Sequence, residues 1–131
     1  MKKTGSVLVD TNVVIAYFRG EKDVYRHFDG ILHLYLSWVV LGELHYGAQR
    51  AQRRQEQLAH IRDLLTYAEV LFADRETTEV YGEVKAELAR IGKPIPQNDI
   101  WIAAIARQFN LPVATRDGHF DHVLRLTTLA W

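Results

Sequence analysis

Short apolar runs alternate along the chain with longer segments whose apolar residues recur every three or four positions. The short runs have strand length and predict β-strands at 6–9, 34–37, 69–72, 112–115 and, as an edge strand, 126–129. The helical spacing predicts helices at 13–18, 23–30, 39–50, 55–67, 75–91, 100–109 and 117–124. Because strands alternate with helices, we predict an α/β fold: a three-layer α/β/α sandwich with a mainly parallel sheet of four to five strands.

Length and composition narrow the class of protein. The chain has 131 residues, close to the commonest domain size, so we expect residues 1–131 to form a single domain. It has no cysteine, which excludes disulfides and thiolate metal sites. Its 16 basic and 16 acidic residues give a net charge of zero, so any contact with nucleic acid must come from a local patch. The apolar run after the basic N-terminus stops at Asp10, and no apolar stretch approaches the roughly 20 residues of a membrane span. We therefore expect a cytoplasmic protein without membrane association.

Four acidic residues, Asp10, Glu43, Asp99 and Asp117, each lie at the edge of an apolar segment. In open parallel sheets, ligands bind beyond the carboxyl ends of the strands. A sheet with the first strand beside the fourth would bring these acids to one rim. Clustered carboxylates repel one another and raise each other's pKa unless a cation holds them together. The simplest occupant of such a site is a hard divalent metal ion.

Glu43 has the strongest physical case of the four. A solvated glutamate belongs on the polar face of a helix, and burying an unpaired carboxylate costs several kcal/mol or shifts its pKa. The neighbours of Glu43 one helical turn away instead form an apolar face: Val39, Val40, Tyr46 and Gly47. This placement favours a functional role.

Structural alternatives stay open for the other acids. Asp10 suits the N-cap of the helix that follows it, and Asn98 or Asp99 can cap helix 100–109. Asp117 precedes a glycine and can mark a plain turn. Asp121, one helical turn later, can replace Asp117 or join it.

Carboxylate oxygens without cysteine favour Mg²⁺ or Mn²⁺ over Zn²⁺. A water bound to such an ion can become the nucleophile on a phosphodiester, while the ion neutralises the developing charge. His119 and His122 have the spacing of a zinc pair. The chain lacks a matching Cys/His set, so we interpret both as surface or packing residues.

Four motifs occur in order: Asp-Thr-Asn at 10–12, Gly-Glu-Leu-His-Tyr-Gly-Ala at 42–48, Asn-Asp-Ile-Trp-Ile-Ala-Ala at 98–104 and Thr-Arg-Asp-Gly-His-Phe at 115–120. Together they resemble the PIN-domain family, specifically the VapC-like toxins of type II toxin–antitoxin systems. The resemblance extends over essentially the whole chain.

The resemblance implies a Mg²⁺-dependent endoribonuclease, with Mn²⁺ as a substitute, that cleaves RNA and inhibits translation. It also implies a homodimer and a VapB-like antitoxin that blocks the site. By position, the family's catalytic and metal-binding acids correspond to Asp10, Glu43, Asp99 and Asp117, with Asp121 in reserve for the fourth. The family's supporting polar residues correspond to Thr11, Asn12 and Thr115.

The clearest basic run is Arg50, Arg53 and Arg54, which together with Arg116 is a candidate contact for RNA phosphates. A solvated helix end or loop is the alternative for each residue of the run, and Arg116 can instead pair with an acid. Two other functions also stay open: a PIN nuclease of RNA processing, and a non-catalytic regulatory module that binds a metal ion.

Overall fold

Five strands form one sheet in the computed structural model, which describes residues 2–131. The strands are β1 (Thr4–Val9), β2 (Ile31–Ser37), β3 (Ala68–Leu71), β4 (Val113–Ala114) and β5 (Thr128–Leu129). Their order is β3-β2-β1-β4-β5, and every neighbouring pair is parallel. The predicted α/β/α sandwich is confirmed, as is the edge position of the last strand.

In the described part of the chain, six α-helices and one 3₁₀ helix connect the strands. The α-helices are α1 (Thr11–Phe18), α2 (Lys22–Gly30), α3 (Trp38–Arg50), α4 (Arg54–Leu64), α5 (Arg75–Arg90) and α6 (Gln97–Gln108), and the 3₁₀ helix is Gly118–His122. Helix α5 packs against α6, and α3 packs against α4. Within residues 2–131, no helix is long and apolar enough to cross a membrane.

Strand β1 lies at the centre of the sheet, which explains its uninterrupted apolar sequence. Val7, Leu8 and Val9 are completely buried, because helices cover the sheet and strands flank β1 on both sides. β1 pairs with β2 on one side and with β4 on the other, so the predicted neighbourhood of the first and fourth strands is confirmed. Asp10 directly follows β1, and Thr115 directly follows β4. Both therefore lie at the carboxyl edge of the sheet.

The predicted cap of the helix before β4 is wrong. Helix α6 begins at Gln97, and its N-cap is Pro96, whose backbone is extended. The backbone N–H of Asp99 donates to Pro96 O over 3.0 Å, so Asp99 lies in the first helical turn. Neither Asn98 nor Asp99 caps the helix, and the Asp99 side chain is left for other contacts.

Two other predicted helices also differ from the helices in the structure. Segment 117–124 forms only the short 3₁₀ helix, for which Asp117 is the N-cap. Helix α4 ends at Leu64, three residues before the predicted end, because Thr66 turns the chain there and its hydroxyl donates to Asp63 O over 2.6 Å.

Candidate functional site

Asp10 is both a helix cap and part of a polar cluster. Its Oδ1 accepts a hydrogen bond from the Thr11 backbone N–H over 2.8 Å, at the N-terminus of α1. Its Oδ2 accepts from the Thr115 hydroxyl over 2.7 Å, across the β1–β4 pair. Asp10 and Thr115 are both buried. The cap uses one oxygen of Asp10 and leaves the other for Thr115, so capping does not exclude a functional role for Asp10.

Glu43 reaches the same edge of the sheet from α3. Its Oε1 accepts a hydrogen bond from the Thr11 hydroxyl over 3.0 Å. Ser37, at the end of β2, starts α3 by accepting a hydrogen bond from the Val39 N–H over 3.0 Å. This cap directs the first turns of α3 towards α1, and Glu43 is half-buried there.

Asp99 and Asp117 meet at the imidazole of His119. The Nδ1 of His119 lies 2.7 Å from Asp99 Oδ2 and 3.0 Å from Asp117 Oδ2. One ligand atom from each of the three residues lies within 4.8 Å of the other two. Asp117 is held from both sides, because its Oδ1 accepts from the His119 N–H and its own N–H donates to the Thr115 hydroxyl, each over 3.0 Å.

These contacts join four acids into one network. Starting from Glu43, the hydrogen bonds run through Thr11 to Asp10, through Thr115 to Asp117, and through His119 to Asp99. The residues come from the ends of β1 and β4, from the start of α1, from the first turns of α3 and α6, and from the 3₁₀ helix. The topology thus brings together side chains that are separated by up to about a hundred positions in the sequence.

Burial makes the charge of this network costly. It raises the pKa of Asp10, Glu43 and Asp99, and neighbouring carboxylates raise all three further. The pKa of His119 is raised as well, chiefly by its hydrogen bond to Asp99. Carboxylate oxygens that are partly buried and mutually repulsive suit a bound cation. The residues present therefore fit a divalent metal ion, with Asp99 and Asp117 best placed to hold it.

The PIN domain family model matches residues 7–126, a segment that contains all four acids. The chain belongs to the PIN domain family. It is 32% identical over 127 residues to "Ribonuclease VapC2" of Haemophilus influenzae and, equally, to "tRNA(fMet)-specific endonuclease VapC" of Shigella flexneri. Each alignment covers 95% of this chain and 96% of the relative. The predicted resemblance to VapC-like proteins is confirmed.

Solved structures of VapBC complexes have the same fold. The VapBC2 complex from Rickettsia felis, described as bound to a DNA fragment from its promoter, matches with a TM-score of 0.89 and 23% identity over 97% of this chain and 99% of that chain. The DNA-bound VapBC complex from Salmonella typhimurium matches with a TM-score of 0.87 and 26% identity over 98% of both chains. Both matches extend over nearly the whole of each chain, so the shared fold is not limited to one part of the domain.

The predicted supporting residues of the PIN domain have different environments. Thr11 and Thr115 contact the acids directly, whereas Asn12 Oδ1 accepts from the Arg116 backbone N–H over 3.2 Å. Asn12 thus fixes the loop after β4 rather than an acid.

His119 is the residue that the sequence interpretation missed. Within residues 2–131, the acidic and histidine ligand atoms that gather within 4.8 Å of one another belong to Asp99, Asp117 and His119, and Asp121 is not among them. Asp121 is exposed on the 3₁₀ helix. The available signal was the position of His119 two residues after Asp117, in a loop that follows a strand.

Arg116 is engaged in an ion pair away from the acids. Its guanidinium donates to both carboxylate oxygens of Glu21, over 3.2 and 2.9 Å, and to Trp131 O over 2.7 Å. The three arginines of the basic run make local contacts: Arg50 lies over the Tyr46 ring at 5.2 Å, Arg53 pairs with Glu56 at 3.5 Å, and Arg54 donates to Gln49 O over 3.5 Å. Contact of these arginines with RNA stays a prediction.

A cavity of about 270 Å³ borders Glu43 between α1, α3 and α4. Its lining is mainly apolar and includes Ile15, Phe18, Leu44 and Ile61, with Arg19 as a basic member. The acidic edge of the PIN domain therefore continues into an apolar cleft.

Proposed function

We propose that this protein is a Mg²⁺-dependent endoribonuclease, the toxin of a type II toxin–antitoxin pair, which acts in the cytoplasm and inhibits translation. The observation that carries the proposal is the convergence of Asp10, Glu43, Asp99 and Asp117 at the carboxyl edge of a PIN fold. The relatives support the RNA substrate, because their names describe a ribonuclease and a tRNA-specific endonuclease.

The contacts of each acid suggest a separate role for it in hydrolysis. Asp99 and Asp117 would hold the ion, and Asp10, which is fixed by two hydrogen bonds, would add negative charge behind them. Glu43 combines a raised pKa with a place at the mouth of a cleft, so it suits a group that orients a water molecule and accepts its proton. When bound, such an ion would supply a water of lowered pKa and would neutralise the charge that develops on the phosphate.

RNA phosphates must be attracted by local charge, because the chain as a whole is neutral. Arg50, Arg53 and Arg54 lie at the end of α3 and the start of α4, and all three are exposed. We assign them to contacts with the RNA backbone, which would position the strand without reading its sequence.

A VapB-like antitoxin is the proposed regulatory partner, and a homodimer is the proposed assembly. The similar solved structures, which are VapBC complexes, support the antitoxin, whereas the homodimer rests on the family resemblance alone. The surface also offers complementary chemistry, since a partner segment with an apolar side chain for the cleft and a basic side chain for the acids would cover both. Such a segment would compete directly with the metal ion and with RNA.

RNA cleavage by the purified protein tests the proposal. We expect cleavage with Mg²⁺ or Mn²⁺, none after chelation, and a loss of at least about a hundredfold for Asp99→Asn. Asp63→Asn is the matched control, because Asp63 is an exposed aspartate on α4 outside the site. A full rate for Asp99→Asn, or cleavage that survives chelation, would refute the site assignment.

The toxin role requires a cellular test. Expression of the wild-type chain should arrest growth, and co-expression of the product of a small adjacent reading frame should restore it. An active nuclease that leaves growth unaffected would instead favour a PIN nuclease of RNA processing. A chain that binds metal but cleaves no RNA would favour the non-catalytic regulatory module.

A further inference from the structure

His119 lies where a ligand of the proposed metal ion would lie. The 3₁₀ helix starts at Asp117, and its first turn places the His119 ring between the carboxylates of Asp99 and Asp117. The ring contacts both carboxylates through the same atom, Nδ1. A packing role alone does not account for one nitrogen that faces two acids of the proposed metal site.

We propose that His119 Nδ1 is a direct ligand of the divalent ion held by Asp99 and Asp117, so that this PIN domain binds Mn²⁺ in preference to Mg²⁺. The inference rests on the proposed metal site and names a ligand and a selectivity that the acids alone do not imply.

The distances agree with a shared coordination shell. In an octahedral shell with ligands at about 2.1 Å, adjacent ligand atoms are about 3 Å apart. Nδ1 lies 2.7 Å from Asp99 Oδ2 and 3.0 Å from Asp117 Oδ2, which are both close to that separation. An ion could therefore be bound by all three atoms with small movements of the side chains.

The backbone around His119 limits such movements. The His119 N–H donates to Asp117 Oδ1 over 3.0 Å, and the Asp117 N–H donates to the buried Thr115 hydroxyl over 3.0 Å. Asp99 is fixed separately by the first turn of α6. Hydrogen bonds to residues that bind a metal orient those residues, and their removal commonly changes the metal affinity by about 10–100-fold.

The selectivity follows from the nitrogen donor. Mg²⁺ prefers an all-oxygen shell and retains several waters, whereas first-row transition ions accept imidazole readily. A site with two carboxylates and one imidazole is thus expected to favour Mn²⁺ over Mg²⁺. The competing interpretation is that a charged His119 ring occupies the place of the cation and opposes metal binding. The two interpretations predict opposite effects of removing the ring.

Metal binding to the purified protein without RNA decides between them. Mn²⁺ and Mg²⁺ affinities are measured by calorimetry for the wild type, His119→Ala and His119→Asn, with His122→Ala as the matched control on the same 3₁₀ helix. We expect His119→Ala to weaken Mn²⁺ binding by about tenfold or more and to lower the Mn²⁺/Mg²⁺ affinity ratio. His119→Asn puts an oxygen near the position of Nδ1, so it should retain Mg²⁺ binding and lose the preference for Mn²⁺. His122→Ala should behave as the wild type.

Pulsed electron paramagnetic resonance of the Mn²⁺ complex gives a direct signature. The wild type and His122→Ala should show nitrogen hyperfine coupling from a coordinated imidazole, and both His119 variants should lack it. Unchanged or stronger Mn²⁺ binding by His119→Ala, or a wild-type complex without nitrogen coupling, overturns the inference while leaving the ribonuclease proposal intact. A wild-type chain that binds neither ion overturns both.

Discussion

Glu87 and Arg107 form an ion pair that joins α5 to α6 and is largely shielded from solvent. Arg107 Nη2 donates to Glu87 Oε2 over 2.9 Å and to Leu124 O over 2.6 Å. The exposed fractions of the two side chains are 8% for Arg107 and 20% for Glu87. Among residues 2–131, Arg107 Nε is buried without a hydrogen-bond partner. Glu87→Gln keeps the shape of the side chain but removes the negative charge that compensates the guanidinium.

The expected cost follows from this shielding. Removing one partner of a buried ion pair typically costs about 3–5 kcal/mol, because the other charge is left uncompensated. Glu87 retains some exposure and Leu124 O still accepts from Arg107, so we expect a loss of about 2–3 kcal/mol. For a domain of this length that lowers the melting temperature by roughly 10 °C. Asp23→Asn is the matched control, since its pair with Arg26 is 3.2 Å long but 81% and 77% exposed and should contribute nothing measurable.

The pair also gives the stability a pH dependence. Hydrogen bonds from Arg107 lower the pKa of Glu87 below its ordinary value. Because the folded pKa lies below the unfolded one, the stabilisation is complete above the ordinary pKa and is lost as the pH falls through the folded value. Urea unfolding from neutral to strongly acidic pH should therefore show the wild type and Glu87→Gln converging in acid. A variant as stable as Asp23→Asn at neutral pH, or a difference that persists in acid, would refute this account.

Three further predictions concern the site. Thr115→Val should lower the free energy of unfolding in urea by about 1–2 kcal/mol and weaken metal binding, because buried Asp10 loses a hydrogen-bond donor. Thr115→Ser keeps the hydroxyl, so its stability and metal binding should be close to those of the wild type. Asp117→Asn should weaken metal binding in calorimetry while Asp121→Asn leaves it unchanged, and the reverse order would make Asp121 the fourth acid. Saturating Mn²⁺, at about a hundred times its dissociation constant, should stabilise the wild type by about 2.7 kcal/mol, and the same concentration should stabilise Asp99→Asn much less.

The sequence pattern predicted those features of the fold that depend on residues close together in the chain. Val7, Leu8 and Val9 form an apolar run because both faces of the central strand are covered, and that run alone indicated a buried parallel strand. Glu43 stood out because a charged residue occupied an apolar helix face, and the structure places it against Thr11 at the carboxyl edge of the sheet. In both cases the deciding neighbours lie within one strand or one helical turn.

The sequence pattern could not predict contacts between residues that are far apart in the chain. The position of His119 depends on Asp99, twenty residues earlier and on another helix. Arg116 was a candidate either for an RNA phosphate or for a pair with an acid, and its partner Glu21 lies 95 residues away in the sequence. The start of α6 was misplaced for a different reason: Asn98 and Asp99 are both strong cap formers, yet the extended backbone of Pro96 already ends the loop.

The two threonines explain how Asp10 and Glu43 can lie beside the other two acids at one edge of the sheet. A hydroxyl has one proton to donate and lone pairs to accept with, so it can connect two groups in a fixed direction. Thr115 donates to Asp10 and accepts from the Asp117 N–H, while Thr11 donates its hydroxyl to Glu43 and its backbone N–H to Asp10. Asp10 and Glu43 are therefore held by neutral groups that leave their negative charges in place, whereas the carboxylates of Asp99 and Asp117 meet at His119. A lysine or arginine that contacted the acids in place of a threonine would instead cancel the negative charge that a divalent ion requires.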